Sequence, residues 1–523
     1  MTTLDSSKDS PEDTADTITR ARDAVAAAPV GILPTIEMRD VRRVAGPLLL
    51  VEGAEAVAFG DVVTVVTDDG HERDGQVLEV DRSRAVVQVL GGTEGMGRAN
   101  VAVRARFRAA VTGVGTDVLG RVLDGAGRPR DGRPEPTAEA YRPVNGLPLN
   151  PVARIHPDQF IETGFSAIDG LNTLVRGQKL PIFTAAGLPA AEVAARIATQ
   201  ARVAGERSHH NEANEDDETE DVVVVFAAMG VTRREADFFR DQFAASASGH
   251  RNVLLLNLAD DPTIERLLTP RVALTLAEYL AFEKHLHVLV ILTDITAYCE
   301  ALREIAAARE EMPGRRGYPG YMYTDLASLF ERAGRVHGSA GSLTQLSLLT
   351  MPDGDITHPI PDLTGYITEG QVVLSRDMAG RGVDPPFDVL PSLSRLMNAG
   401  VGAGRTRADH RGLADQLYAC YARGVEVRRL VSIVGESGLT VEDRRYLAFA
   451  RRFEEEFVGQ GEARRTITQT LDLGWELLGD FEPDELGRVG AKHLAQYHRA
   501  TTTERTVEST AKSTAKSTAR SQP

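Results

Sequence analysis

The sequence predicts a three-part chain. A small all-β barrel comes first, then a central α/β domain with a mostly parallel sheet, then an α-helical C-terminal domain. Three observations predict this. Short β-branched runs between 41 and 90 are broken by Glu52-Gly53, Asp68-Asp69-Gly70 and Asp81-Arg82-Ser83, the spacing of a small barrel. From about 163, continuous apolar runs alternate with amphipathic helical segments, the pattern of a parallel sheet covered on both faces. From 411 to about 497, apolar residues recur every three or four positions. A chain of 523 residues also exceeds one ordinary core.

Taken in order, residues 1–35 are polar, acidic and then Ala/Pro-rich, and are expected to be a disordered extension. The barrel is expected over 36–107, with runs at 41–52, 61–67, 75–81 and 85–90. A Gly/Pro-rich connector at 119–129 and 144–151 is read as tight turns. The α/β domain is expected over 108–384. Its strands are read at 180–184, 222–226, 253–258 and 288–292, with helices at 189–203, 233–245, 270–284 and 297–311. A last strand is read at 371–374. An acidic insertion at 208–221 contains His209 and His210; a block of like charge repels itself, so it reads as a solvated loop and not as a metal site. Pro385 to Pro391 reads as a stiff linker, and the helical domain as 385–500. The repeat at 501–523 is expected to be a disordered tail.

The stretch around which the chain is organised is 179–192. It reads as strand, tight loop and helix, the frame of a phosphate-binding loop. Such a loop needs several glycines, a Lys that reaches the phosphates and a Ser/Thr that holds Mg²⁺. Here only Gly187 remains, and Ala190 and Ala191 stand at the Lys and Ser/Thr positions. Asp294 ends the 288–292 strand, where a Walker B carboxylate would sit, although strand-end Asp residues also cap helices. After the second core strand, 222–226, Val231 follows Gly230 where a hydrolase would place a carboxylate to orient water. Three parts are therefore missing, and the chain alone is expected not to hydrolyse ATP.

One residue points the other way. Arg395, in Pro391-Ser392-Leu393-Ser394-Arg395-Leu396, lies just past the sheet and could reach a neighbouring subunit as an arginine finger. Arg405 and Arg407 are weaker candidates, and Arg315 and Arg316 sit in a Gly/Pro loop better suited to touching a partner. Other classes are disfavoured. A net charge of −16 argues against a nucleic-acid binder, and no apolar run approaches the ~18–20 residues of a membrane span. Cys299 and Cys420 read as buried free thiols of a cytoplasmic protein.

Gly164 to Phe183, Leu292-Thr293-Asp294-Ile295-Thr296, the loop 313–324, Gly341-Ser342-Leu343-Thr344-Gln345 and 391–396 carry a dense likeness that runs from about 36 to 459. In these residues the chain resembles the B-subunit (beta-chain) family of V/A-type rotary ATP synthases and ATPases. The resemblance implies a barrel, a RecA-like P-loop-type domain and a helical domain. It implies a non-catalytic, regulatory subunit that alternates with catalytic A subunits in a hexameric A3B3 ring. ATP or ADP with Mg would be bound at the interface with the A subunit, with no cofactor required by this chain. The resemblance assigns Arg395 the finger role in trans and makes Gly187 and Asp294 relics of a nucleotide site. It turns the loop 313–323 toward the central-stalk rotor and implies contact with peripheral-stalk subunits. It places the complex on the cytoplasmic face of the cell membrane, coupling ATP synthesis or hydrolysis to proton or sodium transport without membrane insertion by this chain. The extension, the insertion and the tail depart from the family pattern, as does the apolar Leu188-Pro189-Ala190-Ala191 segment.

Overall fold

A computed structural model describes residues 36–498 apart from 55, 56, 59, 90, 91, 110, 147, 205–218, 247, 248 and 310. The expected disorder at 1–35 and 501–523, and nearly all of the acidic insertion with its two histidines, lie outside the described residues. The chain divides into two compact units, one running to Val114 and including Ala138–Pro143, the other made of Gly115–Thr137 and the chain from Val144.

The first unit holds a seven-stranded antiparallel sheet, β1 (Ile36–Met38), β2 (Val41–Ala45), β3 (Leu48–Glu52), β4 (Asp61–Thr67), β5 (Glu72–Asp81), β6 (Arg84–Val89) and β7 (Val101–Ala109), and a separate antiparallel pair, Val111–Val114 with Ala140–Pro143. The order in the sheet is β1-β7-β4-β5-β6-β3-β2, a nearly closed barrel. The run expected at 41–52 is two strands, because Gly46 at φ +53° turns the chain between them. β7 lies beyond the runs read from the sequence. Its alternation of Val101, Val103 and Ala105 in the core with Arg104 outside is the period-two signal of a half-buried strand.

The second unit is built on one large sheet and also holds a small four-stranded antiparallel sheet. The strands of the large sheet are β8 (Val122–Asp124), β9 (Ile182–Ala185), β10 (Val223–Val231), β11 (Val253–Leu258), β12 (His287–Thr293), β13 (Ser342–Met351), β14 (Gly370–Leu374) and β15 (Phe387–Ser394). The order along the main path is β15-β14-β9-β13-β12-β10-β11-β8, and each neighbouring pair in it is parallel except β15 with β14; off this path the short strand Gly334–Val336 pairs antiparallel with β13 and with Arg154–Ile155. The central strands are buried along nearly their whole length, as both-face coverage demands. The covering helices are α1 (Ala190–Gln200), α2 (Arg233–Ala245), α3 (Thr263–Glu278), α4 (Ile295–Ala308), α5 (Met322–Phe330) and α6 (Pro359–Ile367).

β11 and α2 fall where the sequence puts them, and α2 is fixed at its start by a capping box between Thr232 and Glu235. Four other expectations are corrected. The connector at 119–129 contributes the edge strand β8; Gly120 lets the backbone pass so close to His250 that a Cβ would lie 2.9 Å from its carbonyl oxygen. The helix expected to run to 203 stops at Gln200, because Arg202–Ala204 pairs with Phe160–Glu162 and Thr219–Asp221. The helix expected from Pro270 starts seven residues earlier, with Pro270 buried in its interior, so tertiary packing outweighs the local rule. The expected linker at 385–391 is largely β15, an edge strand whose exposed Pro391 has no ladder bond to lose.

The C-terminal helices are α7 (His410–Val434), α8 (Val441–Arg452), which continues as a wider turn through Val458, α9 (Ile467–Leu478) and the short α10 (Ala491–Tyr497). Leu413, Leu417, Tyr421, Phe449, Phe453 and Phe457 are buried as their spacing predicts, and they share one core with the α/β sheet. Both cysteines are buried and free.

Candidate functional site

β9 runs between β13 and β14, and the loop 186–189 leaves its C-terminal end and feeds α1. Gly187 adopts φ +87° and is exposed, and a Cβ there would meet nothing within 4 Å. Its glycine identity therefore serves the turn and not a close approach. Leu188 and Ala190 bond back into the loop: Leu188 N donates to Ala185 O at 3.3 Å, and Ala190 N donates to Leu188 O at 2.8 Å. Pro189 caps α1 without a side-chain hydrogen bond. Arg376 Nη2 donates to Ala186 O at 2.9 Å. Methyl groups at 190 and 191 can neither neutralise a phosphate nor hold a metal.

Asp294 is the N-cap of α4, and the peptide bond before it is cis. Its Oδ1 accepts from Thr296 N at 2.7 Å and from Thr350 N at 3.1 Å. Its Oδ2 accepts from the same Thr350 N, at 3.1 Å, and from the Thr350 hydroxyl. Burial pushes its carboxyl above the ordinary carboxylate range, against those hydrogen bonds. Thr350 lies on β13 opposite Thr184 of β9, so Asp294 and the loop strand stand one strand apart. The carboxylate is already occupied by protein donors. Val231 is in the core, its carbonyl taken by Ala259 N at 2.8 Å, and the nearby carboxylate of Glu235 is used in the cap of α2. These residues do not fit a Mg²⁺-nucleotide. Among the described residues there is no cluster of His, Cys, Asp and Glu that could hold a metal ion.

The arginine candidates separate sharply. Arg315 is paired with Asp362 at 3.1 Å and Arg316 with Asp355 at 3.0 Å. Arg405 lies 3.6 Å from Asp158, and Arg407 grips Asp409 and Asp472. Arg395 is exposed, and Nη1 donates to the carbonyl of Thr368 at 3.1 Å. Among the described residues no carboxylate pairs with it. Its position is equally distinctive. β15 is antiparallel to β14, so the end of β15 lies beside Gly370, the start of β14. Arg395 N donates to Glu369 O at 2.9 Å, and Glu369 N in turn donates to Lys179 O at 3.1 Å. Lys179 precedes β9, and its extended backbone bridges Gln345 of β13. Arg395 and the loop at Gly187 therefore sit at opposite ends of the same sheet, separated by about 20 Å of extended chain.

Sequence reasoning missed Thr350, which occupies Asp294, and the Lys179–Glu369 contact beneath Arg395. Lys179 is visible as the first residue of the organising stretch; its partners, Glu331 and Glu369, lie too far along the chain to be read from spacing.

Family models match the chain in three places. The ATP synthase alpha/beta family beta-barrel domain covers 41–106, its nucleotide-binding domain 164–394, and the C-terminal domain of V and A type ATP synthase 399–498. The V-type ATP synthase beta chain of Thermus thermophilus is 55% identical over 462 residues, covering 88% of this chain and 96% of that one. A solved ATP synthase subunit, NeqB from Nanoarcheaum equitans, superposes with a TM-score of 0.64 at 37% identity, over 83% of this chain and 99% of its own.

Proposed function

This chain belongs to the ATP synthase alpha/beta family, among the V/A-type beta chains, and from that premise we propose that it completes a partner's ATP site without working one of its own. The observation that carries the reading is the division of labour along the sheet. The end that would hold a nucleotide is apolar and self-satisfied, while the opposite end offers a guanidinium with only a neutral contact.

In this reading the subunit alternates with a catalytic A-type subunit in a hexameric ring. Arg395 extends into the neighbour's nucleotide site and stabilises charge on the transferring phosphoryl group. Such a cation is worth ~10³–10⁵ in rate. Any Mg²⁺ at that site is held by the partner, since Asp294 is occupied here. The loop 313–323 faces the rotor, an assignment supported by its exposed Tyr321 and Tyr323, by exposed Met312 just before it, and by the ion pairs of Arg315 and Arg316 that brace it. Contact with peripheral-stalk subunits and attachment to the cytoplasmic face of a membrane complex follow from the same assembly. Among the described residues no helix is long and apolar enough to cross a bilayer. Proton or sodium coupling would lie in other chains.

The test is reconstitution. The purified chain is expected to show no ATP hydrolysis. Mixing it with a catalytic subunit bearing a complete phosphate-binding loop is expected to yield an equimolar ring that turns ATP over. Hydrolysis by this chain alone would overturn the reading.

A further inference from the structure

We propose that Lys179 is a positioning residue for Arg395: its ammonium grips Glu369, and through that residue it holds the turn whose two carbonyl groups fix the backbone amide and the guanidinium of Arg395. The inference rests on the arginine-finger reading above.

Lys179 is a buried cation, only 4% exposed. Its Nζ lies 2.8 Å from Glu331 Oε1 and 3.0 Å from Glu369 Oε1. The backbone adds to the grip. Lys179 N donates to Glu369 Oε2 at 2.8 Å, and Glu369 N donates to Lys179 O at 3.1 Å. Glu369 is thus tied to one residue by its amide and by both carboxylate oxygens. The next contacts belong to Arg395. Glu369 O accepts from Arg395 N at 2.9 Å, and Thr368 O accepts from Arg395 Nη1 at 3.1 Å.

The turn is pinned from its other side as well. Thr368 Oγ1 donates to Thr364 O of α6 at 2.8 Å. Gln178, the residue before Lys179, donates to Ser394 Oγ, the residue before Arg395, at 2.9 Å. Glu331 is in turn fixed by Arg154 at 2.8 Å, so Lys179 is strung between an anchored carboxylate and one that carries the Arg395 turn. A buried ion pair adds little net stability over well-packed apolar residues; what it supplies is a defined place for the groups it joins. Place matters here, because misplacing a catalytic group by about 1 Å can cost ~10²-fold in rate.

A double-mutant cycle on ATP turnover by the ring assembled with its catalytic partner tests this. Lys179→Met is expected to lower kcat about 30-fold while KM for ATP stays within about twofold, the signature of an interaction that matters in the transition state. In an Arg395→Ala background the same substitution is expected to change kcat by less than about twofold. Lys179→Arg, which keeps the charge, is expected to recover most of the rate. An equal loss in both backgrounds, or no loss in the native one, overturns the proposal. Should Lys179→Met fail to assemble, Glu369→Gln serves instead. It leaves Lys179 paired with Glu331, is expected to cost about fivefold, and must show the same non-additivity; an additive loss overturns the proposal. Native turnover by Arg395→Ala would remove the finger reading itself. A large loss there, with none in Lys179→Met or Glu369→Gln, would remove only the positioning role.

Discussion

The two ends of β9 offer a direct comparison. At its C-terminal end the groups a nucleotide would need are either replaced by a methyl, as at Ala190 and Ala191, or occupied by the protein, as Asp294 is by Thr296 and Thr350. Near its N-terminal end, a buried lysine and two glutamates hold a turn that presents Arg395 with one neutral side-chain contact. On the proposed function, the difference teaches where this subunit would contribute to chemistry. A charge whose partners are all internal serves the fold, and a charge held in place by its neighbours but left without a counterion is available to another molecule.

The strongest way to break the comparison is Arg395→Ala. Ring assembly is expected to survive, because the side chain is exposed, while ATPase turnover of the complex falls ~10³-fold or more. Near-native steady-state turnover in that variant would sink the role.

A second test asks whether an internally used group controls stability alone. His410 is fully buried. Its Nε2 faces the Gly170 carbonyl at 3.0 Å and so carries the proton, and Nδ1 accepts from the Thr406 hydroxyl at 3.0 Å. Burial pulls its pKa down to about 4 from an ordinary 6.5, so the folded chain keeps it neutral. A depressed histidine contributes stability that is present in full above pH 6.5 and lost as pH falls through 4. The loss amounts to about 3 kcal/mol across that window. Thermal midpoints measured from pH 7 to pH 4 should fall less steeply for His410→Gln than for the native chain; parallel slopes would contradict the assignment.

Asp294→Ala sharpens the comparison further. Losing the cap and the Thr350 contacts is expected to cost the isolated chain about 2 kcal/mol, read as a lower unfolding midpoint. Mg²⁺ with ATP should stabilise the native chain no more than the variant. A Mg²⁺-dependent gain confined to the native chain would show that the carboxylate still serves a metal.

The smallest expected effect is none at all. Ala190→Lys should not create turnover at this chain's own loop, since Ala191 and Val231 remain unable to hold metal or position water. New hydrolysis by the single variant, assayed with the partner's sites blocked, would overturn the account of the loop.

Much of this is legible in the sequence, and the failures have physical causes. β11 and α2 match their expected bounds to the residue because a continuous buried run and a capped amphipathic helix are local signals. β13 is not among the strands read from the sequence. Its Ser342, Thr344, Gln345 and Ser347 look like loop chemistry, yet they are buried at the centre of the sheet. β15 reads as a linker because Pro385 and Pro386 before it and Pro391 within it count as breakers unless an edge position is known. The five arginines named above can be ranked by motif alone, and only the fold shows that four of them face carboxylates.

What the sequence determined by itself was residue type: Ala190, Ala191 and Val231 stand where a phosphate-binding lysine, a metal-holding hydroxyl and a water-orienting carboxylate would be expected. It also determined the layered alternation of strand and helix, which follows from periodicity within short windows. Only the tertiary structure decided that Arg395 lies at the opposite end of the sheet from Gly187, and that Lys179 reaches Glu369 across 190 residues of chain. Those facts depend on strand order and direction, which arise from burying a whole sheet at once and leave no mark in any single stretch of sequence.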